Sequence, residues 1–313
     1  MTILQICFVA VGLAIDVALA ALPILAWLRQ GRDPYFTDDD SVLMPSPPPD
    51  FTPGLASVVL QGKSTRGTIS AGLMDLASRN LIAFRAEPFP IGHRAGIELT
   101  VHRPHLAHLP APEAALYQSI VARMGTSRHI DSLFLGSLSG AFTDFAHALD
   151  ELAVQRGWLQ TRPGVVIRNW RILAGLEVGA GLILFGWLSR LLGVSTELRD
   201  IDFAVLGIGA SIAGAITYFV SGVMPARTKE GAMLAAMLNA YRRALKATIA
   251  QAQSLEQVVV MRPLPWVGTP TEQIAWAVAF NLDRQIDSLL SQSLEVSQTG
   301  GWPTGIRDWF SII

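Results

Sequence analysis

The feature that most constrains this chain is the run from Ile3 to Leu28, "ILQICFVAVGLAIDVALAALPILAWL", in which Asp16 is the only charged side chain. A bilayer-spanning helix needs roughly 20 predominantly apolar residues, and residues 3–28 satisfy that length. Two further windows, residues 172–189 and 203–224, supply most or all of it. Three membrane spans are therefore expected. Composition agrees: 50% of the residues are hydrophobic and 16% charged, against roughly 25% charged in soluble domains. Ala18-Leu19-Ala20 resembles a signal-peptide cleavage site, but "MTILQ" carries no positive charge and apolar sequence continues to Leu28, so residues 1–28 read as a retained anchor.

Lys and Arg near the ends of spans favour the cytoplasm, because carrying them across a bilayer during insertion is unfavourable. Arg29 and Arg32 follow the first window, Arg162, Arg168 and Arg171 precede the second, and Arg227, Lys229, Arg242 and Arg243 follow the third. The connection between the second and third windows holds Arg190 and Arg199 beside Glu197, Asp200 and Asp202. This asymmetry predicts an N-terminus outside, a helical hairpin over 169–224 whose connection faces outward, and a cytoplasmic C-terminus. Arg227, Lys229, Arg242 and Arg243 are then placed to meet lipid headgroups. Gly175 and Gly179 in the second window, and Ala210 and Gly214 in the third, are small residues four apart; they either let two helices pack closely or reflect an Ala- and Gly-rich chain.

Outside the apolar windows, residues 29–50 combine an acidic run with clustered prolines and read as a linker. Thr52 followed by Pro53 begins a helix that Gly62 ends, and Ile69, Leu73, Leu76 and Leu81 mark a second. "LIAFRAE" and "GIELTVHR" then read as paired strands, and helices follow over 111–124 and 131–157. Helix, helix, hairpin is a winged-helix order, so residues 51–168 are expected to form a cytoplasmic α+β domain of that kind. Beyond the third window, over 225–313, Leu234, Leu238, Tyr241, Leu245, Ile249 and Ala252 make an apolar stripe, and Thr269, Pro270 and Glu272 form a capping box.

In the segment from Arg29 to Trp170, thirteen Lys and Arg balance thirteen Asp and Glu. The expected domain therefore lacks the basic field that nucleic-acid binding requires, and Lys63, Arg66 and Arg79 are the only positive charges at the second helix. Cys7, the single cysteine, excludes an intramolecular disulfide. His102, His105 and His108 are a metal-ligand set or ordinary surface histidines; Pro104 and Pro110 keep them off one helix face. Asp16, in the middle of the first window, and Glu177, nearer a span end, are costly charges in lipid. Asp16 is a proton- or ion-handling group or a structurally hydrogen-bonded one, whereas Glu177 can more easily reach water. "GSLSG" has Leu138 where a nucleophile elbow needs Ser, and no Walker A, HExxH or Cys-His pair occurs. No cofactor and no catalysis are expected.

"GRDP" after a span, "PPPDFTPGLASVVLQGKSTRGTISAGLMDLASRNLIAF", "MPARTKEG" and "TPTEQIAWAVAFNLDRQIDSLL" together resemble bacterial predicted membrane proteins of the domain-of-unknown-function family 2207, from about Gly31 to Leu290. The resemblance implies membrane location with a cytoplasmic bulk and supplies no catalytic residues. Family members usually carry an extracytoplasmic β-sandwich before the first span, whereas this chain starts at the span, so a short or truncated member is expected. The functional expectation is a non-enzymatic envelope protein presenting an interaction surface to another envelope or cytoplasmic protein. The alternatives are a membrane-tethered winged-helix regulator and a proton- or ion-coupled transport component using Asp16.

Overall fold

In the computed structural model, which describes residues 3–36, 38–86, 97–102, 109–124, 129–130, 132–186, 197–251 and 270–282, the opening apolar run forms α1 (Ile3–Ala26). It closes in a wider π turn, Trp27–Gly31. Helix α6 (Pro163–Gly186) and helix α7 (Glu197–Ser221) complete the first of two compact units, Met1–Pro34 with Leu159–Thr228. α6 and α7 run antiparallel, since Ala174 and Val178 abut Gly214 while Gly181 abuts Gly207 and Ser211. α1 runs parallel to α7, with Gly12 against Leu206 and Asp16 against Gly209. The outer faces stay apolar: Val11, Ile15, Leu22, Ile172, Leu176, Leu182, Ile208, Ile212 and Phe219 are all exposed.

The expected three spans are corrected here. Among the described residues one helix, Val9–Gly31, is long and apolar enough to cross a membrane. α6 carries Arg168 and Arg171 in its first turns, so its apolar stretch begins only at Ile172, and residues 187–189 of the expected window lie outside the described residues. α7 opens on Glu197, Arg199, Asp200 and Asp202, leaving Val205–Ser221 as a shorter apolar helix.

The second unit, Tyr35–Trp158 with Lys229–Ile313, is helical around one core. Helix α2 (Pro53–Gln61) begins where the Thr52 hydroxyl accepts from the Leu55 N–H, with Pro53 in the first turn, and ends at Gly62, whose φ of 72° a side chain would strain. Helix α3 (Arg66–Ser78) is capped reciprocally by Thr65 and Thr68. Helices α4 (Ala111–Met124), α5 (Ser132–Gln155), α8 (Lys229–Gln251) and α9 (Pro270–Ala279) follow. α9 packs on α3, α2 and α8, and every residue from Gln273 to Phe280 is buried. Leu55, Leu76, Leu116, Phe145, Leu149 and Leu238 fill the core. Gly72 lets the Phe145 ring approach so closely that a Cβ there would sit 2.5 Å from it. Of the α8 stripe, Leu238, Tyr241, Leu245 and Ile249 are buried, and Tyr241 meets Trp276 and Phe280 edge-on at 5.4 and 5.5 Å; Ala252 lies outside the described residues.

The α+β, winged-helix expectation is corrected as well. Among the described residues, strands are confined to a small sheet in which β1 (Ile82–Ala86), β2 (Ile97–Val101) and the two-residue β3 (His129–Ile130) lie in the order β1-β2-β3. The helices build the unit, and α9 covers α3, the helix a winged-helix protein would offer to DNA. Thr68, Ser70, Ala71, Leu73, Asp75 and Leu76 of α3 are buried. An element from the far end of the chain thus occupies the expected recognition surface.

Candidate functional site

The strongest polar constellation of the first unit lies where α1 and α7 end and α6 is about to begin. The backbone N–H of Arg227 donates to Asp33 Oδ1 at 2.7 Å, and its guanidinium Nη1 donates to Asp33 Oδ2. Gln160 adds the third segment: its N–H donates to the Ala226 carbonyl at 3.1 Å and its side-chain amide to the Arg227 carbonyl at 3.0 Å. Leu159 and Arg227 form an antiparallel bridge. The chain passes between units at 34/35, 158/159 and 228/229. One carboxylate, one guanidinium and one amide therefore join all three exits from the first unit. Charge-assisted bonds of this kind are stronger than neutral ones. Asp33 and Arg227 come from "GRDP" and "MPARTKEG", two of the quoted patches. Sequence reasoning assigned Arg227 to headgroups because nothing local signals a partner 194 residues away. Lys229, at the start of α8, is exposed.

Within the helices of the first unit, Asp16 and Glu177 are held apart. Asp16 Oδ2 lies against Gly209, whose missing side chain makes room for it, and this buried oxygen has no hydrogen-bond partner. Glu177 is buried and accepts from the Thr217 hydroxyl at 2.7 Å. Gly209 and Thr217 are two turns apart on α7, about 12 Å of helix rise, so the two acids do not form one site. The small residues divide differently from expectation. Ala210 is buried and Gly214 meets the α6 backbone, with a Cβ there 2.8 Å from the Ala174 carbonyl. Gly175 and Gly179 have open space beside them; Gly181 is the α6 glycine at the contact, where a Cβ would be 2.6 Å from the Gly207 carbonyl.

In the second unit the acidic run is not a free linker. Arg243 of α8 draws it in: Nη2 donates to Asp38 Oδ1 at 2.9 Å, to the Asp39 carbonyl at 2.9 Å and to the Val42 carbonyl at 3.1 Å. Asn239 donates to Asp38 Oδ2 at 3.0 Å, and the Met44 N–H to the Ala240 carbonyl at 3.3 Å. Asp39 accepts from the Ser41 hydroxyl and N–H, and those bonds hold its carboxyl below the usual value. Arg243, expected at lipid headgroups, is thus engaged by protein oxygens, while Arg242 beside it is half-buried. The turn leaves Tyr35, Phe36, Val42 and Leu43 exposed.

Among the described residues of the same unit, three carboxyls are buried. Burial pushes Asp75 up from the ordinary value, partly offset by Arg79, whose Nε donates to Asp75 Oδ2 at 3.1 Å. Burial pushes Asp150 up too, against bonds of 3.0 Å from the Ser64 N–H and hydroxyl and the charge of His147. Glu113, only 1% exposed, is also raised by burial. The Thr52 hydroxyl and the Glu113 N–H lower it, the charge of Asp75 raises it, and Arg79 lowers it again. Neither Glu113 oxygen makes a hydrogen bond of normal geometry. Sequence reasoning passed over Asp75 and Asp150, which look like polar positions on amphipathic helices. His102 is exposed and its carbonyl accepts from the Tyr117 hydroxyl; His105 and His108 lie outside the described residues. Among the described residues no three His, Cys, Asp or Glu gather as metal ligands.

Residues 45–286 match the family model described as "Predicted membrane protein (DUF2207) C-terminal domain". A stretch of 78 residues is 35% identical to the Na(+)/H(+) antiporter NhaA of Jannaschia sp. (strain CCS1), covering 23% of this chain and 19% of the antiporter. The chain thus spans about a fifth of the length of that relative. No solved structure matches.

Proposed function

The chain belongs, through residues 45–286, to the DUF2207 family of predicted membrane proteins, and from that premise we propose that it anchors a helical protein-interaction unit at the cytoplasmic face of a bacterial inner membrane. The reading assigns it no catalysis. The observation that carries it is the distribution of exposed apolar side chains. Among the described residues of the second unit, the large exposed ones are Tyr35, Phe36, Val42 and Leu43 on the acidic turn and Met233 on α8, the helix that binds the turn. Exposed apolar side chains flanking Asp38, Asp39 and Asp40 along one turn suit a protein partner with apolar anchors and basic groups.

Orientation rests on charge. The three exits joined by Asp33, Gln160 and Arg227 leave one end of the first unit, and Arg29, Arg32, Arg162 and Arg227 cluster in sequence around them. Positive residues beside membrane helices favour the cytoplasm. A photo-crosslinking residue at Val42 or Leu43 should give a discrete protein adduct in cells, and one at the exposed Gln155 should not. Equal labelling at the two places rejects the surface. In a Cys7→Ala background, a cysteine at Gln155 should react with a membrane-impermeant thiol reagent only after right-side-out vesicles are permeabilised; prompt reaction reverses the orientation.

A second reading, ion-coupled transport, is favoured by Asp16, whose buried oxygen lacks a partner on a membrane-length helix, and by the partial similarity to an antiporter. Sodium-driven proton flux in vesicles of the purified protein, abolished by Asp16→Asn, supports it; absence of flux in the wild type removes it.

A further inference from the structure

We propose that Asp75 and Glu113 form a one-proton site in the core of the second unit: Arg79 compensates the charge of Asp75, Glu113 holds the proton, and losing that proton loosens α4 from the helices around it. The geometry supplies the argument. Asp75 is 3% and Glu113 1% exposed, so neither carboxylate is solvated. Among the described residues, the charged groups that act on Glu113 are Asp75 and Arg79, both from α3; Thr52, ahead of α2, contributes only a hydroxyl. Arg79 is bound through Nε to Asp75, which leaves the buried Glu113 carboxyl without a cation bonded to it.

An unpaired buried carboxylate is costly, and the usual resolution is to neutralise. Glu113 fits that role because its oxygens lack hydrogen bonds of normal geometry, whereas Asp75 has one from a cation. Its place in the first turn of α4 opposes neutralisation, since helix N-termini favour negative charge. The proton is therefore held against a restoring influence and can be released.

The sign follows from proton counting. Between the ordinary carboxyl value and the raised folded one, the native state binds more protons than the unfolded chain, so stability falls as pH rises through that window. The test uses the full chain in detergent micelles. Infrared difference spectra, wild type minus Glu113→Gln, should retain the carbonyl stretch of a protonated carboxylic acid above the ordinary carboxyl range and lose it on further titration upward. Arg79→Gln should move that loss to higher pH, which a merely structural role for Arg79 would not do. Amide exchange in α4 should quicken across the same pH range in the wild type and not in Glu113→Gln. A wild-type spectrum without the band overturns the proposal, as does a pH dependence of α4 exchange unchanged in Glu113→Gln. Should that variant fail to fold, the same titration of wild type against Arg79→Gln decides the matter.

Discussion

Asp33 accepts from both the backbone N–H and the guanidinium of Arg227, so a single carboxylate fixes main chain and side chain of a residue 194 positions away. Arg227→Lys keeps the charge and the backbone bond but loses the planar fork. Asp33→Ala loses all of it. In detergent, Asp33→Ala should lower unfolding stability by about 1–2 kcal/mol, moderated by solvent screening because Asp33 is 37% exposed. Arg227→Lys should fall between it and the wild type. Identical thermal midpoints for all three proteins would show that the contact contributes nothing.

The contact of α6 with α7 offers a sharper comparison. Gly181→Leu forces a side chain against the Gly207 carbonyl and Ser211, whereas Gly175→Leu meets open space. The first should destabilise the protein strongly and the second hardly at all, read as loss of the folded fraction on mild heating in detergent. Equal effects would contradict the register described above.

Gly72 and Phe145 should be energetically coupled. Gly72→Ala places a Cβ 2.5 Å from the ring and should cost about 1–3 kcal/mol as overpacking. Phe145→Leu alone leaves a cavity in the core. Combined, each relieves the other, so the double variant should be more stable than the sum of the single losses predicts. Strict additivity in denaturant unfolding would rule out the contact.

Asp150 should contribute its own pH dependence. Its carboxyl is raised by burial, so the stability it lends is greatest in acid and declines as pH climbs from the ordinary value to the raised one. Asp150→Asn should flatten that decline. Ser64→Ala keeps the backbone N–H bond but removes the hydroxyl bond that favours the charged form, and should push the carboxyl higher still, extending the decline to more alkaline pH. Denaturant midpoints measured from pH 5 to 9 distinguish these outcomes; a slope that neither variant alters would refute the assignment.

What the sequence revealed was local. Thr52, Pro53 and Gly62 bound α2 as read, residues 111–124 form α4, and α9 starts at Pro270. Caps and turn residues act within a few positions, so they survive any tertiary arrangement. The misses concern partners distant in the chain. Arg243 meets Asp38 across 205 positions, and α9 buries α3 from beyond residue 270. Neither leaves a periodic trace. Gly175 and Gly179 each lie one residue, about 100° of helix rotation, from Ala174 and Val178, which meet α7, and composition alone does not decide which face packs. The span count failed because charged turns at the starts of α6 and α7 shorten their apolar stretches.

That the second unit is assembled from two separated lengths of chain has a bearing on its birth at the ribosome. Helices α2 to α5 emerge long before α9, so their apolar side chains must wait, uncovered, while the intervening helices α6 to α8 are made. A nascent polypeptide cut short before Trp276 and Phe280 would keep that surface bare, a mark by which chaperones and proteases can tell an unfinished molecule from a finished one.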